Sequence, residues 1–97
     1  MRLDRYLWFV RLAKSRELAQ AMAAEGRLRI DGRRVDRAHT AVRVGNILTF
    51  FKAGAVRVVR VETLPQRRGP APEAQACYRD LDTMSQDANE SQEGAGN

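Results

Sequence analysis

The chain has 97 residues, which suits one small domain and leaves little room for a deep catalytic pocket. All 17 Lys and Arg precede residue 82, so residues 1–81 carry a net charge of +9 and residues 82–97 carry −4; such a basic domain favours an anionic partner. One cysteine, one histidine and only short apolar runs exclude an internal disulfide, a Cys/His zinc site and a membrane span, so we expect a cytoplasmic monomer without metal or cofactor.

The first predicted helix covers residues 3–12, because its apolar side chains recur with helical spacing. The spaced positions are Leu3, Tyr6, Leu7 and Val10. Asp4 can cap the start of this helix. The helix also brings three arginines to the surface, namely Arg2, Arg5 and Arg11.

Two large side chains of this helix, Trp8 and Leu12, lie off its apolar stripe. They can contact a base or a sugar, since aromatic stacking suits single-stranded RNA. The alternative is a second packing surface that the C-terminal helix covers.

A second helix is predicted from residue 16 to about residue 25, with Ser15 as its N-cap and Gly26 just after its end. Arg16 and Gln20 lie four residues apart on one stripe, roughly opposite the apolar side chains. Lys14 and the Ser15 hydroxyl lie at the helix N-terminus, where free amides favour phosphate. These residues either bind an anion together or serve as an ordinary cap with a solvated arginine.

The next segment predicts a hairpin, with residues 27–30 and 33–35 as strands around an Asp31-Gly32 turn. In this register Arg29 lies opposite Arg34, and Arg27 shares their face. Directly opposed like charges are destabilising, so three arginines on one face indicate either phosphate neutralisation or a solvated polar face.

Two further strands are predicted at residues 47–51 and 55–64, joined by a short turn. The apolar positions of the second strand change phase between Val58 and Val59, which indicates a bulge or burial on both faces. The fold class is therefore α+β, with two N-terminal helices packed on a small, mostly antiparallel sheet. We expect residues 1–64 to form this domain.

After Pro65, residues 65–81 are predicted to form an extended connector and a short helix from Glu73 to Leu81, which would contain Cys77. Residues 82–97 are polar and acidic and contain too few apolar side chains to fold, so we expect a disordered acidic tail.

Several of these segments resemble the RNA-binding domain named after small-subunit ribosomal protein S-four, also called the αL motif. The residues that carry the resemblance are Arg2-Leu3-Asp4, Arg11, Ser15-Arg16, Ala19, Gly26 to Gly32, Val35 and Val44-Gly45. The start of the chain and residues 67–76 are similar to the bacterial fifteen-kilodalton heat-shock protein family. The resemblance implies two short helices on a small sheet.

The same resemblance implies a heat-shock factor that binds ribosomal RNA of the free large subunit carrying peptidyl-tRNA, and that recycles such subunits without being an enzyme. The RNA-contact residues expected from the pattern and the resemblance together are Arg2, Arg5, Arg11, Lys14, Ser15, Arg16, Gln20, Arg27, Arg29 and Arg34. The alternatives are a regulator that binds structured RNA or DNA, or the remnant of an RNA-modifying enzyme. Weak nonspecific DNA binding follows from the charge in any case.

Overall fold

The computed structural model describes residues 1–81, so the predicted disordered tail lies outside the described residues. These residues form three helices and one antiparallel sheet, which confirms the α+β class. The elements in chain order are α1 (Leu3–Phe9), α2 (Arg16–Ala24), β1 (Leu28–Ile30), β2 (Arg33–Val35), β3 (Ile47–Lys52), β4 (Ala55–Val61), α3 (Ala71–Gln75) and β5 (Tyr78–Asp80). The strand order in the sheet is β2-β1-β3-β4-β5.

Helix α1 ends at Phe9, three residues before its predicted end. Arg11 has a left-handed backbone with φ of 64°, which breaks the helix. The amides of Leu12 and Ala13 then both donate to the carbonyl of Leu7. This turn places Leu12 and Ala13 in the core. At the other end the N-cap is Arg2 and not Asp4.

Helix α2 begins as predicted, because the Ser15 hydroxyl accepts a hydrogen bond from the amide of Leu18 at 3.0 Å. Ala19, Met22 and Ala23 face the core. The chain leaves the helix through Gly26, where φ is +73° and the guanidinium of Arg34 lies directly against the backbone. A Cβ at residue 26 would therefore displace Arg34 as well as strain the turn.

The hairpin β1–β2 has the predicted register, in which Arg29 lies opposite Arg34 and Ile30 opposite Arg33. Both turn residues, Asp31 and Gly32, have positive φ, as a type I′ turn requires. The aspartate carboxylate also accepts hydrogen bonds from the amide of Ile47 and the side chain of Asn46, which ties the turn to the start of β3.

Strand β4 ends at Val61, three residues earlier than predicted. Its pairing with β3 is continuous from Arg60 opposite Ile47 to Ala55 opposite Lys52, so of the two predicted alternatives the bulge is wrong. The change of phase reflects burial on both faces instead, since Val59 is fully buried and Val58 is partly buried on the other side.

The predicted helix from Glu73 to Leu81 is wrong in extent. Helix α3 stops at Gln75, and residues 78–80 form a fifth strand that pairs with β4. Pairing gives the backbone of this segment the hydrogen bonds that a longer helix would have supplied, and Arg57 on β4 clamps Asp80 with two hydrogen bonds of 3.2 and 2.7 Å.

One core connects the helices to the sheet, and it includes both ends of the described chain. Tyr6 of α1 is fully buried, and its hydroxyl donates to the carbonyl of Cys77 at 2.9 Å. Residues 78–80 share a sheet with residues 28–61, while the domain boundary at residue 64 stays a prediction. In residues 1–81 the helices are all too short to cross a membrane.

Candidate nucleic-acid interface

Helices α1 and α2 form the walls of an open cleft of about 370 Å³, which we name the α1–α2 cleft. Its lining contains three arginines, one amide, two aromatic rings and one carboxylate. These residues are Arg2, Arg5, Arg16, Gln20, Trp8, Phe9 and Asp4. Four of the ten residues expected to contact RNA therefore meet in one concave surface, and three of the four are cationic.

Asp4 holds one of these arginines in place. Asp4 is 6% exposed, and its carboxylate accepts two hydrogen bonds from the guanidinium of Arg2, at 3.1 and 2.8 Å, and one from the amide of Arg5 at 2.8 Å. A bidentate pair of this kind fixes the plane of the guanidinium. The acid thus orients a cation at the cleft, and the cleft keeps a positive excess because three arginines face one carboxylate.

Two guanidinium groups lie over the indole ring of Trp8. The central carbon of Arg16 lies 4.5 Å from the centre of the indole ring, and that of Arg68 lies 5.0 Å away. The Nε of Arg68 also donates to the carbonyl of Trp8 at 3.0 Å. Trp8 packs partly against the core, and these two arginines lie over its ring.

The expected contact set leaves out Asp4, Trp8 and Phe9 of the cleft lining, and also Arg68, which lies over Trp8. The aromatic pair can be found in the sequence as large side chains close to basic ones. Arg68 lies 60 residues from Trp8 in a segment that looks like a connector, so its position depends on tertiary folding and has no local signal.

The remaining expected residues of the helical region lie outside the cleft lining. The Nε of Arg11 donates to the carbonyl of Gly69 at 2.7 Å, which joins the α1–α2 turn to the connector. Ser15 caps α2, and Lys14 is exposed beside it. Burial lowers the pKa of nearby Lys52, and the positive charges of Arg57 and Lys14 lower it further. A second positive region therefore surrounds the start of α2.

The hairpin arginines do not join the cleft. Leu28 and Val35 face the core, so Arg29 and Arg34 point to the opposite side of the sheet because side chains alternate along a strand. Arg27 forms an ion pair with Glu25 at 2.7 Å, which offsets its charge locally. The structure thus divides the expected arginine face into a cleft between the helices and a separate sheet surface.

Comparison with known proteins agrees with this architecture. The sequence model of the S4 domain matches residues 1–48. A Haemophilus influenzae protein named heat shock protein 15 homolog is 30% identical over 83 residues, which cover 86% of this chain and 63% of the relative. Escherichia coli heat shock protein 15 is 32% identical over 80 residues, which cover 82% of this chain and 59% of the relative. The chain spans about three fifths of the length of these curated relatives.

The fold is also similar to that of a solved structure. A trimeric structure of Vibrio cholerae heat shock protein 15 superposes with a TM-score of 0.80 at 29% identity, covering 95% of this chain and 96% of the other. The similarity includes the segment beyond the S4 match. Residues 1–48 therefore match the S4 domain, and over most of its length the chain resembles the proteins named heat shock protein 15.

Proposed function

We propose that this protein binds folded RNA through the α1–α2 cleft and acts by binding, without catalysing a reaction. The observation that carries the proposal is the meeting of Arg2, Arg5 and Arg16 with Gln20 in one cleft of an S4 domain. Guanidinium groups bind phosphates with paired hydrogen bonds, and folded RNA is recognised mainly through its backbone and shape. The aromatic floor at Trp8 and Phe9 offers contact to a sugar or an unstacked base.

The proposed cellular partner is ribosomal RNA of the large subunit, in a cytoplasmic factor that recycles free large subunits blocked by peptidyl-tRNA. The resemblance to heat shock protein 15 supports this proposal. Sedimentation of cell lysate on a sucrose gradient tests it. We expect the protein to migrate with free large subunits, and migration only at the top of the gradient would contradict the proposal.

The cleft itself is tested by the substitution Arg16→Ala. We expect this change to weaken binding to purified large subunits by about tenfold, because a charge-assisted contact to phosphate is lost. The free energy of unfolding should fall by less than about 1 kcal/mol, since only the exposed cation–π contact with Trp8 is removed. Co-sedimentation and urea denaturation measure the two effects.

The matched control is Arg43→Ala, an exposed arginine in the loop before β3. Arg57 is not a suitable control, because its removal also breaks its hydrogen bonds to the Asp80 carboxylate. Equal losses from Arg16→Ala and Arg43→Ala would indicate a diffuse charge effect and would contradict a defined site.

The salt dependence of RNA binding gives a second test. The logarithm of the affinity should fall with the logarithm of the salt concentration by about 0.7–0.9 per phosphate contacted.

We propose further that the active form is a monomer, with one cleft for each RNA. The Vibrio cholerae relative has a trimeric structure, so light scattering of the free protein is the direct test. A measured molar mass equal to one chain at all protein concentrations tested would support the monomer. A molar mass equal to three chains would contradict it and would indicate a trimer like that of the relative.

A further inference from the structure

The face of the sheet that points away from the core carries a second set of arginines, which we name the outer sheet face. Leu28, Val59 and Val61 are buried, so the residues next to them in the strands, Arg29 and Arg60, point to this outer face. The residues paired with Arg29 and Arg60 on the neighbouring strands lie on the same face. The arginines within the strands of this face are Arg29, Arg34, Arg60 and Arg79. Two of them, Arg60 and Arg79, lie outside the set expected to contact RNA.

These arginines form two opposed pairs. Arg29 lies directly opposite Arg34 on β1 and β2, and Arg60 lies directly opposite Arg79 on β4 and β5. Like charges in this position destabilise a sheet. Within residues 1–81 their partners are weak, since Arg60 is 3.9 Å from Glu62 and Arg29 is 3.5 Å from a turn carbonyl. An anion bound across the sheet would relieve both pairs at once.

An exposed apolar strip lies between and beside the two pairs. Phe51 and Val56 face each other across β3 and β4 and are 65% and 51% exposed. Thr49 and Val58 form the next pair along these strands, in the same row as Arg29. The face therefore combines an exposed aromatic ring with two arginine pairs, whose outer members, Arg34 on β2 and Arg79 on β5, lie four strand spacings or roughly 19 Å apart.

We propose that the outer sheet face is a second binding site, and that its ligand is single-stranded RNA. A flat sheet surface suits unpaired nucleotides, because a ring such as Phe51 can stack on a base while arginines bind the phosphates on either side. The proposal goes beyond RNA binding at the α1–α2 cleft and does not depend on it. It lets one small protein hold a folded RNA on its helices and an unpaired strand on its sheet.

The charge pattern favours RNA over the other occupants of such a face. A second copy docked symmetrically would bring the same arginine pairs against each other, which costs energy by repulsion. The acidic residues 82–97 complement the charge but contain no aromatic ring to stack on Phe51. Single-stranded RNA supplies both the phosphates and the planar bases.

The test measures the binding of fluorescein-labelled dodecauridylate to the full chain by anisotropy. We expect Phe51→Leu to weaken binding about tenfold, because it keeps apolar surface but removes the stacking ring, and Phe51→Trp to retain binding. The double change Arg60→Ser with Arg79→Ser should cause a similar loss. Arg43→Ser is the matched control and should stay within twofold of the parent chain.

Arg16→Ala separates this site from the cleft. It should weaken large-subunit binding more than dodecauridylate binding, whereas Phe51→Leu should weaken dodecauridylate binding more. An equal loss from Arg16→Ala and Phe51→Leu would mean a single RNA site and would overturn the proposal, as would unchanged binding in Phe51→Leu. Two other results would also overturn it: a self-association that Phe51→Leu abolishes, or dodecauridylate binding that occurs only after residues 82–97 are removed.

Discussion

Tyr6 joins the first helix to the end of the described chain. Its ring is fully buried, and its hydroxyl donates to the carbonyl of Cys77. Burial raises the pKa of this hydroxyl far above its ordinary value of 10, and the neighbouring negative charge of ionised Cys77 adds to the effect. The folded protein therefore keeps the Tyr6 proton at a pH where the unfolded chain releases it.

This difference predicts an alkaline limit to stability. Because the folded-state pKa is raised, the stability is fully present below pH 10 and is lost as the pH rises above 10, where the unfolded chain binds fewer protons. Tyr6→Phe should lower the free energy of unfolding at pH 7 by about 1–3 kcal/mol, since the Cys77 carbonyl loses its partner. The variant should also lose less of its remaining stability between pH 9 and 11.

Urea denaturation at pH 7, 9 and 11 measures both effects. Tyr78→Phe is the control, because its hydroxyl takes no part in that buried bond. Burial also raises the pKa of the Cys77 thiol, which lowers stability at alkaline pH in the parent chain and in both variants alike. An equally steep alkaline loss in Tyr6→Phe and the parent chain would contradict the assignment.

Among the elements, α2 depends most clearly on one side chain, because Ser15 satisfies the amide of Leu18. Ser15→Ala should lower the free energy of unfolding by about 1 kcal/mol. Ser15→Asp keeps a capping oxygen and should preserve stability, but it places negative charge where the proposed RNA phosphate would lie. Urea denaturation and large-subunit co-sedimentation report the two properties separately.

Ser15→Ala and Ser15→Asp together show whether Ser15 only caps α2 or also contacts RNA. If Ser15→Asp binds large subunits as tightly as the parent chain, Ser15 is a structural cap alone. A loss of binding with full stability supports its place in the expected contact set.

Elements with strong local signals could be predicted from the sequence, and those decided by tertiary contacts could not. The Ser15 cap predicts α2, and Asp31-Gly32 predicts the hairpin and its register. The segment around Tyr78 resembles a helix locally, but pairing with Val61 makes it a strand. Arg16 and Gln20 could be assigned to one surface by their spacing, whereas the approach of Arg68 to Trp8 could not.

For the whole molecule, the separation of charge along the chain has a measurable effect. Residues 1–81 carry +9, and residues 82–97 carry four acids, Asp82, Asp87, Glu90 and Glu93. We expect this tethered acidic segment to compete with RNA for the basic surfaces, at an effective concentration near the millimolar range. Truncation after Leu81 should therefore tighten RNA binding at low salt, and the gain should shrink as salt screens the charges.

The control is the full-length chain with the four acids changed to Asn or Gln, which should bind RNA as tightly as the truncated chain. RNA affinity measured at 50 and 300 mM salt checks the prediction. Equal affinity of the parent and truncated chains at low salt would show that the acidic segment does not compete for the basic surfaces.

The bond between Tyr6 and Cys77 also has a consequence for synthesis of the protein. A nascent chain that has exposed only residues 1–48 lacks the carbonyl that accepts the Tyr6 hydroxyl hydrogen bond. It also lacks Arg68, one of the two arginines over Trp8, and the strand that completes the sheet. Contacts between residues 60 to 71 positions apart form late and slow the folding of a domain. The amino-terminal helix therefore reaches its final packing only after residue 80 has left the exit tunnel.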